Sequence, residues 1–107
     1  MAQLTLTEAE HGQRFTVAVG DAITISLSES SAAGYRWTPA SLDETRLRLT
    51  DHSYQQASTA VGGAGTAIWR LTVTRPGRTR IELVKARPWE EDQSKNERFR
   101  VDLEVVK

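Results

Sequence analysis

The sequence contains no cysteine, which excludes a disulfide framework, a thiol nucleophile and a thiolate metal site, so stability must come from packing alone. Charge of one sign is also lacking: fourteen Lys and Arg balance fourteen Asp and Glu, and no stretch gathers one sign over more than a few positions. A nucleic-acid partner, which requires a basic face, is therefore not expected. The densest run, Glu90-Glu91-Asp92 followed by Lys95, Arg98 and Arg100, has the character of a solvated loop. No apolar run approaches the roughly eighteen residues of a membrane-crossing helix, and Met1-Ala2-Gln3-Leu4-Thr5 lacks the basic-then-apolar pattern of an export signal. No membrane partner is expected. The expected compartment is the cytoplasm, or the periplasm or exterior if an export signal has been removed. Histidine is scarce too: His11 lies near Glu8 and Glu10, and His52 follows Asp51. Both read as surface polar sequence, because a metal site needs three or four ligands and a catalytic site needs a convergent acid, base or nucleophile. Neither an enzyme nor a cofactor is expected.

What is present is alternation. Ile23, Ile25 and Leu27 alternate with Thr24, Ser26 and Ser28; Leu47 and Leu49 alternate with Arg46, Arg48 and Thr50. Trp69, Leu71 and Val73 continue the pattern, as do Ile81 and Leu83 around Glu82, and Phe99, Val101, Leu103 and Val105. A period of two is the mark of strands with one buried face, and each such face needs a second sheet against it. Gly20-Asp21 and Pro76-Gly77 punctuate the runs as turns. Helical signals are confined to Thr7 to Gly12 and Ser41 to Arg46, with Thr7 or Ser41 as cap and Glu10 or Glu44 three residues on. The pattern predicts an all-β chain of six to eight short strands packed as an antiparallel β-sandwich. Trp37, near the centre of an early strand, suits the immunoglobulin-like version without its disulfide. A length of 107 residues fits one domain, residues 1–107, expected to be a monomer.

Three segments contain residues that a plain connection does not require. Ser30-Ser31-Ala32-Ala33-Gly34-Tyr35 ends in a glycine and an aromatic at the mouth of a strand; taken alone, a tight turn with Gly34 at positive φ accounts for it adequately and is the favoured reading. Val61-Gly62-Gly63-Ala64-Gly65-Thr66 lets a backbone come close to a partner surface, or forms a loose hairpin loop ahead of the run that begins at Ala67. Phosphate binding by these glycines is not favoured, because a strand follows where a helix is needed. Ala86-Arg87-Pro88-Trp89-Glu90 places Trp and Arg, the residue types enriched at interface hot spots, in a polar neighbourhood. A Trp89 folded back on the core is the other reading.

Taken in order, the three segments resemble the chagasin-type inhibitors of papain-like cysteine proteases, whose pattern runs Asn-Pro-Thr-Thr-Gly-Tyr, Gly-x-Gly-Gly, Arg-Pro-Trp. Arg87-Pro88-Trp89 stands intact, Gly34-Tyr35 matches the end of the first motif, and Gly62-Gly63-Ala64-Gly65 matches the second apart from Ala64. Trp69 after the glycine segment and Pro76-Gly77 at the next turn also agree, so the resemblance spans about Gly20 to Val106. Ser30-Ser31-Ala32-Ala33 replaces Asn-Pro-Thr-Thr, and Lys85 stands where the family usually has an aromatic. Those departures bear on affinity and protease choice. The resemblance implies an immunoglobulin-like sandwich that reversibly blocks the cleft of a papain-like cysteine protease with three loops at one end. Ser31, Ala32, Ala33, Gly34 and Tyr35, then Gly62, Gly63, Ala64, Gly65 and Thr66, then Arg87, Pro88 and Trp89 are the implied protease-binding residues. An immunoglobulin-like module that uses the same loops for another protein, without inhibition, is the alternative.

Overall fold

Alternating β-branched and polar residues give eight strands among the described residues of a computed structural model, which are 2–29, 36–56, 65–87 and 96–107. They are β1 (Gln3–Leu6), β2 (Arg14–Ala18), β3 (Ala22–Glu29), β4 (Arg36–Leu42), β5 (Leu47–Gln56), β6 (Gly65–Val73), β7 (Gly77–Ala86) and β8 (Arg98–Val106). One sheet runs β1-β3-β6-β5 and the other β2-β8-β7-β4. Lettered A, A′ and B to G in chain order, these become A-B-E-D and A′-G-F-C, the arrangement of an immunoglobulin-like sandwich. The first strand is split between the sheets: β1 pairs parallel with β3, and β2 pairs parallel with β8. A single 3-10 turn, Glu8–Glu10, makes the crossing, and the expected Thr7–Glu10 capping box forms there.

Between the sheets lie the side chains whose period predicted it. Ile23, Ile25, Leu27, Trp69, Leu71 and Val73 from one sheet meet Trp37, Ile81, Leu83, Phe99, Val101, Leu103 and Val105 from the other. Trp37 is 2% exposed, although it is the second residue of β4 and not central in its strand as the sequence suggested.

Two other expectations are corrected. Ser41 caps no helical turn, because β4 runs on through Leu42; Asp43 is the acceptor, taking the Thr45 N–H and the Arg46 guanidinium. Leu49 is 39% exposed and not part of the core. It faces the same way as Leu47, which is buried on the same edge strand, but it lies beside a bulge. The bulge, between Leu49 and Asp51, breaks the register, so His52 and Tyr54, paired with Trp69 and Ala67, take over the inward phase. His52 is exposed yet stacks flat on Trp69, with ring centroids 3.6 Å apart. His11 also has a structural role: its Nδ1 accepts the Arg100 N–H at 3.0 Å.

At the end remote from the three segments, Asp21 holds the β2–β3 turn together. Its carboxylate accepts the Ala18 N–H at 2.9 Å and the Ala2 N–H at 3.0 Å. These bonds, Ala18 first, favour the charged form and lower the Asp21 pKa against a smaller opposing effect of burial. A lowered folded pKa means that the stabilisation is fully present above the unfolded value of about 4 and is lost as pH falls through the folded value. Asp21→Asn should therefore lower the melting temperature at neutral pH and narrow its difference from the parent below about pH 4. Melting curves between about pH 7 and pH 2 check this, and a constant difference would rule it out.

Candidate functional site

Six strand ends, the close of β3, β5 and β7 and the opening of β4, β6 and β8, meet at the opposite end of the sandwich. Glu29 at the end of β3 pairs with Gly65 at the start of β6, and Gly65 pairs on its other side with Gln56 at the end of β5. In the second sheet Arg36 at the start of β4 pairs with Ala86 at the end of β7, and the Lys85 N–H donates to the Glu97 carbonyl just before β8. Segments 30–35, 57–64 and 88–95 therefore all depart from and return to one end of the fold.

At this end the inward phase changes from apolar to polar. Along β3 the buried series Ile23, Ile25, Leu27 is continued by Glu29, which is only 3% exposed. Along β7 the series Ile81, Leu83 is continued by Lys85, whose ammonium lies 5.8 Å from the Trp37 ring centroid. The Glu29 carboxylate reaches the other sheet, accepting the Trp37 N–H at 2.9 Å and the Arg36 guanidinium at 3.3 Å. The Trp37 indole N–H donates back to the Ser28 carbonyl at 2.9 Å. β1 stops at Ile25 in its pairing with β3, and beyond that point the Ser28 N–H is taken by the Glu8 carboxylate. Both sheets are thus tied at the base of segment 30–35 by groups that would otherwise lack backbone partners.

Of the residues proposed from sequence, Gly65 and Thr66 belong to β6, so the strand begins two residues earlier than the run at Ala67 suggested. Gly65 is buried, and a Cβ there would run into the Tyr54 ring and lie 2.7 Å from the Gln55 carbonyl oxygen. The Tyr54 hydroxyl crosses above it to donate to the Glu29 carbonyl at 3.3 Å. Gly65→Ala is expected to destabilise the fold by about 1 to 3 kcal/mol through overpacking. Thermal unfolding checks it, and an unchanged melting temperature would show that the ring does not need this space. Arg87 directly follows β7 and is half-buried. Ser31, Ala32, Ala33, Gly34, Tyr35, Gly62, Gly63, Ala64, Pro88 and Trp89 lie outside the described residues.

Sequence reasoning missed Glu29, Trp37 and Tyr54 as parts of this end. For Glu29 a signal existed: it is a charged residue in step with three core positions. Tyr54 carried none, because its inward phase depends on the bulge.

The architecture defines a class: an immunoglobulin-like domain in which the strand ends flanking the B–C, D–E and F–G connections share one end of the sandwich. Residues 16–103 match the family model described as chagasin family peptidase inhibitor I42, and the chain belongs to that family. It is 30% identical over 105 residues to chagasin of Trypanosoma cruzi, covering 94% of this chain and 96% of that one. Among solved structures, the cysteine protease inhibitor EhICP2 from Entamoeba histolytica superposes with a TM-score of 0.89 at 22% identity, covering 99% of this chain and 97% of that one. PbICP-C, solved in complex with falcipain-2, has a TM-score of 0.67 at 16% identity, covering 97% of this chain and 89% of its own. The protein is a chagasin-family cysteine protease inhibitor and not an enzyme.

Proposed function

We propose that residues 1–107 act as one inhibitor domain that blocks the catalytic cleft of a papain-like protease with segments 30–35, 57–64 and 88–95 working as a unit. The observation that supports this reading best is the convergence of all three pairs of anchor residues on one end of the sandwich, where Glu29, Trp37 and the β4–β7 pairing join them. The complex of PbICP-C with falcipain-2 supports the target class.

The central segment, with Gly62, Gly63 and Ala64, is narrow enough to enter a cleft beside the nucleophile without presenting an aligned scissile peptide. On its flanks, Ser31 to Tyr35 and Arg87 to Trp89 bury apolar surface against the cleft walls. Tyr35 and Trp89 contribute most of it, at about 25 cal/mol per Å² before association costs. Loops held on a rigid sandwich lose little entropy on docking.

The test is inhibition of papain followed by peptide hydrolysis, with the inhibitor analysed afterwards by mass. Inhibition that reverses on dilution, with the inhibitor recovered uncut, is the expected result. Cleavage between Val61 and Thr66, with protease activity returning as the segment is lost, would contradict it.

A further inference from the structure

Glu29 is difficult to explain by stability alone. A carboxylate 3% exposed between two sheets has given up its hydration, and hydrophobic replacements of buried charges are often neutral or stabilising. An apolar residue here would simply extend the series Ile23, Ile25, Leu27. What Glu29 does instead is connect. It is the last residue of β3, and its side chain binds Trp37 and Arg36, the first two residues of β4, so it joins the two strand ends that flank segment 30–35. Because β4 is an edge strand, the Trp37 N–H on its open side has no ladder partner, and the carboxylate supplies one across the gap between the sheets. The Glu29 carbonyl meanwhile accepts the Tyr54 hydroxyl, and its strand partner is Gly65, so the same residue holds both exits of segment 57–64.

We propose that Glu29 is a positioning residue for inhibition: without touching the protease, it keeps the first two binding segments in the geometry that docks. This rests on the three-segment reading above. Loosening a clamp of this kind lowers the fraction of molecules whose segments are ready to bind, and the apparent affinity falls by that fraction. Association slows in proportion, whereas the contacts in the finished complex are unaltered.

The experiment compares the parent with Glu29→Ala, Glu29→Asp, Glu29→Gln and Trp89→Ala. Each is measured for melting temperature and for association and dissociation rates against papain, well below melting and per folded molecule. Glu29→Ala should weaken inhibition by about tenfold or more, mainly in association, if the docking-ready fraction falls to about a tenth. Glu29→Asp keeps the charge but is one methylene too short to span to the Trp37 N–H, and should also weaken it. Glu29→Gln keeps an oxygen for that N–H and should recover most of the lost affinity. Should Glu29→Ala fail to fold, the Asp and Gln variants carry the comparison. Inhibition within about twofold of the parent for the folded Ala and Asp variants, alongside a clear loss in Trp89→Ala, would overturn the positioning role and leave the three-segment reading standing. If the parent does not inhibit, or Trp89→Ala inhibits as well as the parent, the three-segment reading falls and the Glu29 proposal falls with it.

Discussion

Trp37→Ala should cost about 3 to 5 kcal/mol of folding free energy, the scale of deleting a large aromatic from a packed core. The ring is 2% exposed, and its loss leaves three defects. A cavity opens between the sheets. The Ser28 carbonyl loses the indole N–H that completes the end of β3. Lys85 loses the ring face beneath its ammonium. For a domain of this size each kcal/mol lowers the melting temperature by roughly 4 to 8 °C, so unfolding should shift by well over ten degrees or fall below the working range. Trp37→Phe separates the contributions: it keeps most of the ring and removes the hydrogen bond, and should cost nearer about 1 kcal/mol plus a small cavity term. Denaturant titration measures both. A loss below about 1 kcal/mol for the alanine variant would mean that the sandwich closes over the gap unaided.

Trp89→Ala should have the opposite profile. If it belongs to the binding site as proposed above, its truncation should weaken binding by roughly 2 kcal/mol or more, about thirtyfold, the scale of an interface hot spot, while the melting temperature scarcely moves. The pair of variants distinguishes a tryptophan that builds the platform from one that the platform presents. Inhibition titrations and thermal melts on the same preparations decide the matter. A large stability loss with unchanged inhibition per folded molecule would place Trp89 in the core and remove it from the site.

Much of this was legible along the chain because burial on one face of a strand repeats every second residue. Ile23, Ile25 and Leu27, or Phe99, Val101, Leu103 and Val105, announce both a strand and its inward face. Motif order was legible for a similar reason: Gly34-Tyr35, the glycine run and Arg87-Pro88-Trp89 are local strings, and the family match over residues 16–103 is consistent with them.

Alternation, the absence of a disulfide and the succession of three unusual segments were thus determined by sequence alone, since each is a property of neighbouring residues. Tertiary structure decided the rest. Leu49 obeys the alternation yet is exposed while Leu47 on the same edge strand is buried, because Leu49 lies beside the bulge that breaks the β5 register. Tyr54 faces inward because a bulge resets the register that local periodicity would have carried through. Gly65 is required by a ring eleven positions away, and Glu29 is tolerated in a core position because an N–H on a different sheet needs its oxygen as acceptor. Each of these depends on which strand lies beside or across from which, a relation between distant residues that no local pattern contains.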